Sequence, residues 1–146
     1  MSKQMLQILL VEDDDVDAEA LLRAFRKQRL IIASLTVVKN GLEALDLLRG
    51  LHVSNDPTRP HLVLLDINMP QMNGIEFLTE LRQDDMLKST IVFVLTTSNR
   101  DEDKMAAYNK QIAGYLLKSR AGHDFQEMIK LLDTYQRIIE FPPEAV

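Results

Sequence analysis

Short apolar runs alternate along this chain with segments whose apolar residues recur at helical spacing. Runs of four to eight apolar or β-branched residues, bounded by turn residues, are typical of buried strands. The predicted strands are residues 8–11, 31–38, 62–66, 91–96 and 112–117. The third begins with four consecutive apolar residues, which predicts a strand buried on both faces, as in a parallel sheet.

A helical segment follows each predicted strand. The apolar positions that mark these helices are Ala18, Leu21, Leu22 and Phe25 in the first, Leu45, Leu48 and Leu51 in the second, Ile75, Leu78 and Leu81 in the third, Met105 and Tyr108 in a weaker fourth, and Phe125, Met128, Ile129, Leu132 and Ile139 in the last. The pair Pro142-Pro143 ends the last helix, because proline cannot continue one.

Alternating strands and helices predict an α/β fold, in which a parallel five-stranded sheet carries helices on both faces. Periodicity does not reveal strand order, but the doubly wound, flavodoxin-like order 2-1-3-4-5 is usual at this size. The 146 residues suit one domain. We therefore expect a single (βα)5 domain over residues 1–146, with 139–146 as a C-terminal extension.

Composition narrows the function. The chain has no cysteine, which excludes disulfides and thiol chemistry and agrees with a cytoplasmic location. Its net charge of −5 argues against direct nucleic-acid binding, which needs a basic surface. No apolar run is long enough to span a membrane, so we expect no membrane partner.

Polar side chains follow four of the five predicted strands. They are Glu12 and Asp13 after the first, Asp66 at the end of the third, Thr96 and Thr97 at the fourth, and Lys118 after the fifth. Because the carboxyl ends of parallel strands share one edge, where such sheets bind ligands, we expect these groups to meet. Clustered carboxylates repel each other unless a cation intervenes, and Mg²⁺ prefers such oxygen ligands.

This set suits phosphoryl transfer, which depends on positioning and on neutralising phosphoryl oxygens. Asp66 can act as the nucleophile and form an aspartyl phosphate. Asp13 and Glu12 would hold the metal, while Lys118 and Thr96 would bind phosphoryl oxygens. Each residue alone has an ordinary explanation as a helix cap, helix start or strand end, but their joint occurrence at strand ends favours a functional site.

Four segments match a known family: residues 8–13, residues 65–70 together with Gly74, residues 94–96 and residues 114–118. The chain resembles the receiver domain of two-component response regulators. The resemblance implies that Asp66 is the phosphoacceptor for a sensor histidine kinase. It also implies that Asp13, Asp66 and the backbone carbonyl of Asn68 bind Mg²⁺, with Glu12 acting through a metal-bound water.

The resemblance assigns further roles. Thr96 and Tyr115 correspond to the switch pair that reorients on phosphorylation, and Asn68 and Ser98 occupy positions that tune the dephosphorylation rate. Such a protein is not an enzyme in the usual sense, although it contributes to its own phosphorylation and dephosphorylation. Because few residues follow the last helix, we expect a stand-alone regulator that signals through the face formed by helix 4, strand 5 and helix 5.

Within the family the chain is similar to regulators that partner phytochrome-type kinases. This rests on Thr96-Thr97-Ser98, a long loop at 51–60, and Lys118-Ser119-Arg120. Such regulators tend to dimerise through helix 4, strand 5, helix 5 and a C-terminal extension, here residues 135–146. Ile138, Ile139 and Phe141 would then contact a second copy, or they would pack on their own domain.

Ser119 departs from the family, which usually has proline there after a cis bond. A cis bond before a residue other than proline costs about 3–4 kcal/mol. We expect the Lys118–Ser119 peptide either to be trans, with a reshaped loop, or to be a strained cis bond held by packing.

Other classes fit less well. A haloacid-dehalogenase-type phosphatase needs a second acid two residues after its nucleophile, where this chain has Asn68. An EF-hand starting at Asp13 would need glycine and glutamate where Ala18 and Ala24 stand. A phosphorelay intermediate that passes phosphate to a histidine phosphotransfer protein stays open. A degenerate receiver that acts without phosphorylation is the other alternative, although the full set of site residues speaks against it.

Overall fold

The computed structural model describes residues 5–28 and 33–143. Its strands are β1 (Leu6–Val11), β2 (Ala33–Val38), β3 (Leu62–Leu65), β4 (Ile91–Thr96) and β5 (Gly114–Leu117). Its α-helices are α1 (Asp15–Lys27), α2 (Gly41–Val53), α3 (Gly74–Gln83), α4 (Asp101–Tyr108) and α5 (Gln126–Ile138). Positions 31 and 32 of the predicted second strand, and 144–146 of the predicted extension, lie outside the described residues.

All strand pairs are parallel, and the sheet order is β2-β1-β3-β4-β5. This confirms the predicted flavodoxin-like fold. Backbone pairing continues one residue past the central strands, because the Asp66 N–H donates to the Val11 carbonyl at 3.0 Å. The Glu12 N–H likewise donates to the Val38 carbonyl at 2.9 Å. The acidic residues are therefore held by the sheet itself.

Alternate strand residues enter opposite layers of the core. Leu9 and Val11 pack with α2 and α3 on one face, whereas Ile8 and Leu10 pack with α1 and α5 on the other. All four residues of β3 are fully buried, as a central parallel strand requires. Because helices cover both faces of the sheet, only the ends of its central strands are accessible.

The helices α3 and α4 differ from the sequence expectation in the residues that they bury. The helix α5 differs in its bounds, since Phe125 and Ile139 lie just outside it and it ends before Pro142. In α3 the principal core residue is Phe77, which is fully buried and was not among the marked positions, while Ile75 is only partly buried. In α4 the marked residues Met105 and Tyr108 are 66% and 52% exposed, and Ala107 is the buried position. The buried face of α4 is therefore marked by a small residue, which a search for large apolar residues does not identify.

The chain after α5 turns back onto its own domain. The Phe141 ring lies 5.3 Å from the ring of His61 and 6.4 Å from that of Tyr135, between ring centroids. Phe141 therefore packs within the domain, as the second of the two alternatives for this segment predicts. Ile138 on α5 is 77% exposed, and Ile139 is partly buried.

The β5–α5 connection contains short 3₁₀ turns at Lys118–Arg120 and His123–Phe125. Every peptide bond between described residues is trans, so the trans alternative holds for Lys118–Ser119. The connection forms a turn that starts at Lys118 itself. Among the described residues, no helix combines the length and the apolar character that crossing a bilayer needs.

Candidate functional site at the carboxyl edge of the sheet

The loop after β3 is shaped by the start of α3. Asn73 and Glu76 form a reciprocal capping box in which each side chain accepts the other residue's backbone N–H, and the Gly74 N–H donates to the Ile67 carbonyl at 2.8 Å. A Cβ atom on Gly74 would lie 2.6 Å from the Asp66 carbonyl oxygen. Glycine is thus required for α3 to begin against the segment that carries Asp66.

Three acidic residues meet at this edge. Glu12, Asp13 and Asp66 each offer a carboxylate oxygen, and these oxygens all lie within 4.8 Å of one another. Glu12 and Asp66 are buried, with 2% and 8% of their surface exposed, whereas Asp13 is partly exposed. Hard oxygen donors at this spacing, with one side open to solvent, suit a divalent cation that keeps some of its waters.

Within this trio, burial makes the Glu12 carboxylate hard to ionise. Burial raises the pKa of Glu12 to about 7; the hydrogen bond from Lys118 lowers it in part, and the neighbouring charge of Asp66 raises it again. The buried carboxylate is thus not fully compensated by its protein surroundings. A divalent cation would supply the missing positive charge.

Lys118, which directly follows β5, brings a positive charge into the site. Its Nζ lies 2.5 Å from Oε1 of Glu12, 2.7 Å from Oδ2 of Asp17 and 3.8 Å from Oδ2 of Asp66. Burial lowers the pKa of Lys118, but the hydrogen bonds with Asp17 and Glu12 outweigh it, so the pKa is raised overall. Lys118 therefore stays a cation here.

Asp17 is the site residue that the sequence analysis missed. In the sequence it is one of two acids in the first turn of α1, where acids complement the helix dipole. Its position, three residues after the N-cap Asp14, was the available signal, since the first turn of α1 follows directly from the strand end that carries Glu12 and Asp13. A contact with Lys118 across 101 residues of sequence leaves no periodic pattern.

Thr96 and Tyr115 are linked through Ser98. Thr96 is fully buried, and its hydroxyl accepts the Ser98 N–H at 3.3 Å. The Tyr115 hydroxyl donates to the Ser98 carbonyl at 2.9 Å. Burial raises the pKa of Tyr115, with further contributions from the charges of Asp103 and Asp66, so its hydroxyl remains a donor. Thr97, predicted at the same strand end, points outward and is exposed.

The two positions predicted to tune dephosphorylation, Asn68 and Ser98, have different contacts. Asn68 is exposed, and its backbone N–H donates to Oδ1 of Asp66 at 3.4 Å. The Ser98 hydroxyl donates to Oδ2 of Asp103 at 2.5 Å. The edge thus combines a buried carboxylate, a cluster of oxygen ligands, a lysine ammonium and a buried hydroxyl, which is a set suited to binding a phosphoryl group.

Comparison with known proteins agrees with this geometry. Residues 8–130 match the family described as "Response regulator receiver domain". The chain therefore belongs to the response regulator receiver domain family.

The chain is similar to phytochrome-linked regulators within that family. It is 36% identical over 128 residues to the response regulator Rcp1 of Synechocystis, an alignment that covers 88% of this chain and 86% of Rcp1. The crystal structure of Mn²⁺-bound Rcp1 superposes with a TM-score of 0.78 at 33% identity and covers 97% of this chain and 100% of that one. The crystal structure of the phosphorylated cyanobacterial phytochrome response regulator RcpA superposes with a TM-score of 0.75 at 26% identity. It also covers 97% of this chain and 100% of that one.

Proposed function

We propose that this protein is a response regulator whose Asp66 accepts a phosphoryl group from the phosphohistidine of a sensor kinase. The observation that carries the proposal is the Asp66 carboxylate, buried between two acids and 3.8 Å from the Lys118 ammonium. A carboxylate oxygen of Asp66 attacks phosphorus, the phosphorus–nitrogen bond to the kinase imidazole breaks, and that nitrogen keeps the bonding electrons. The product is an aspartyl phosphate.

The proposed cofactor is Mg²⁺, which when bound neutralises charge on the phosphoryl oxygens. Asp13 and Asp66 would supply direct ligands together with the backbone carbonyl of Asn68, and Glu12 would act through water. The spacing of the three carboxylates supports a divalent cation, and Rcp1 is described in a Mn²⁺-bound form. Lys118 provides the second positive charge, and the Thr96 hydroxyl a further donor.

Signalling would follow from a rearrangement around Ser98. A new phosphoryl group carries nearly two negative charges and attracts the Thr96 hydroxyl. Thr96 now accepts the Ser98 N–H, so movement of Thr96 would pull on the segment that also holds Tyr115. The surface formed by α4, β5 and α5 would change as a result, and that surface would contact the next protein.

The proposed kinase is of the phytochrome type. The likeness to Rcp1 and to the phytochrome response regulator RcpA supports this partner. A homodimer through α4, β5 and α5 is a further proposal. The protein would contribute to its own phosphorylation and dephosphorylation without turning over a separate substrate.

The decisive experiment is phosphorylation with acetyl phosphate and Mg²⁺, followed by mobility in phosphate-binding gels. The wild type should shift to a phosphorylated form that base removes, and Asp66→Asn should not shift. Asp46→Asn, which removes an acid from α2 away from the strand ends, is the matched control and should behave as the wild type. An unshifted wild type would exclude the receiver chemistry and leave a phosphorylation-independent interaction domain.

A further inference from the structure

The Lys118 ammonium is held mainly by residues other than the proposed phosphoacceptor. An ammonium has three donor hydrogens. Two of them are taken by Glu12 at 2.5 Å and Asp17 at 2.7 Å, whereas Asp66 at 3.8 Å lies beyond hydrogen-bond distance. The side chain of Lys118 is only 11% exposed, so this arrangement is not a mobile surface pair. Asp66 does not engage the third hydrogen at this distance, so a group that binds oxygens at Asp66 competes with Glu12 and Asp17 for the position of the ammonium.

Asp17 is held in place by the start of α1. The side chain of the N-cap Asp14 accepts the backbone N–H groups of Val16 at 2.9 Å and Asp17 at 3.1 Å. The Asp14 N–H in turn donates to Oε2 of Glu12 at 3.3 Å. One connected set of contacts therefore fixes the Glu12 carboxylate and the backbone that carries Asp17.

The two carboxylates differ in how easily they can release the ammonium. The Glu12 side chain is 1% exposed, so losing Lys118 would leave a buried charge without this partner. The Asp17 side chain is 36% exposed and can exchange the ammonium for water at little cost. Asp17 is thus the partner that Lys118 can leave.

We propose that Asp17 is a positioning residue that competes with the phosphoryl group for Lys118. The proposal rests on the proposed function, because it assumes that Asp66 is phosphorylated. In the unphosphorylated protein Asp17 holds the ammonium to one side of Asp66. When phosphoryl oxygens arrive, Lys118 moves to them and Asp17 turns to solvent. Asp17 therefore weakens the capture of the phosphoryl donor and sets how readily the regulator is loaded.

The test compares phosphorylation rates over a range of acetyl phosphate concentrations at saturating Mg²⁺. In Asp17→Asn the competing charge is lost, and the half-saturating concentration should fall about threefold, the effect of a partly exposed ion pair. Asp17→Glu keeps the carboxylate and should return the half-saturating concentration toward the wild-type value. Asp15→Asn is the matched control, since Asp15 lies in the same turn but pairs with Lys39 at 3.1 Å, and it should leave the concentration unchanged.

A second measurement reports on Lys118 directly. In unphosphorylated Asp17→Asn the ¹⁵N resonance of the Lys118 ammonium should shift, and in Asp15→Asn it should not. The inference is overturned if Asp17→Asn matches Asp15→Asn, or if its half-saturating concentration rises. In both cases a wild type that acetyl phosphate phosphorylates would leave the proposed function standing. A wild type that is not phosphorylated would remove the proposed function and this inference together.

Discussion

Gly74 stands so close to Asp66 that a Cβ atom on it would lie 2.6 Å from the Asp66 carbonyl oxygen and 2.8 Å from Cα of Ile67. The start of α3 and the segment that carries the proposed phosphoacceptor are therefore in direct backbone contact. Any side chain at position 74 must separate them, which couples the stability of this loop to the geometry of the acidic site.

Gly74→Ala should lower the free energy of unfolding by about 1–3 kcal/mol, because backbone rather than a flexible side chain must move. The displaced Asp66 should also take up phosphate from acetyl phosphate more slowly. Urea unfolding and the phosphorylation rate measure the two effects. Gly50→Ala is the control: nothing lies within 4 Å of its added Cβ, and alanine in a helix should stabilise by about 0.5–1 kcal/mol. An unaffected Gly74→Ala would show that the loop can open without cost.

Cation binding should depend on pH through Glu12. Its pKa in the folded protein is about 7, above the ordinary value of 4.5. Between these two pH values Glu12 is therefore mostly protonated in the folded protein and mostly ionised in the unfolded chain. The contribution of Glu12 to stability is therefore present below the ordinary pKa and lost as the pH rises through about 7. A divalent cation competes with that proton, so Mg²⁺ affinity should increase with pH up to about 7 and then level off.

Calorimetric Mg²⁺ titrations at several pH values test this dependence. Glu12→Gln cannot ionise, and its affinity should vary less with pH over the same range. Equal slopes for the variant and the wild type would assign the dependence to another group.

Arg82 links α3 to the segment before β4 and to the segment after α4. Its guanidinium donates to the backbone carbonyls of Lys88 and Thr90 at 2.7 and 2.8 Å, and to those of Lys110 and Gln111 at 2.7 and 3.0 Å. Arg82→Lys keeps the charge but loses the planar set of donors. It should lower the free energy of unfolding by about 2–3 kcal/mol, measured by urea unfolding.

The matched control for this substitution is Arg26→Lys on the exposed face of α1, where the only hydrogen bond that the structure describes for Arg26 is a 3.4 Å contact within the helix. Its effect should stay within about 0.5 kcal/mol. Equal effects of the two substitutions would mean that the four carbonyls find other donors.

Dimerisation should depend on Ile138. This residue is 77% exposed, and Met105, Tyr108 and Leu131 are other exposed apolar residues of α4 and α5. Ile138→Lys should convert a dimer to a monomer in sedimentation velocity, because a lysine would have to be desolvated in an apolar contact. Val53→Lys, at an even more exposed position at the end of α2, should leave the dimer intact. A monomeric wild type would show the dimer prediction to be wrong.

The fold could be predicted because its signals are local. The apolar run at 62–65 and the regular alternation with helical segments require a buried parallel sheet, and the structure has one. The least accurate prediction concerned α4. This short helix buries the small residue Ala107 and not its large apolar residues. Hydrophobicity identifies a helix face well only when large residues lie on it.

The sequence predicts which residues form the site, but it does not predict which of them contact each other. Strand ends place Glu12, Asp13, Asp66, Thr96 and Lys118 at one edge, so topology alone brings them together. The partner of Lys118 depends on side-chain direction and on the exact start of α1. The sequence predicts that the lysine lies near Asp66, while the structure shows it closer to Asp17.

Phe141 anchors the end of the described chain beside His61, which immediately precedes β3, whereas Asp66 follows the other end of that strand. The strand thus separates the contact of Phe141 with His61 from the acidic site. A chain immobilised on a sensor surface through its C-terminus would keep the Asp66 edge turned toward solution. This attachment geometry would let kinase binding and phosphate uptake be recorded on the same tethered molecules.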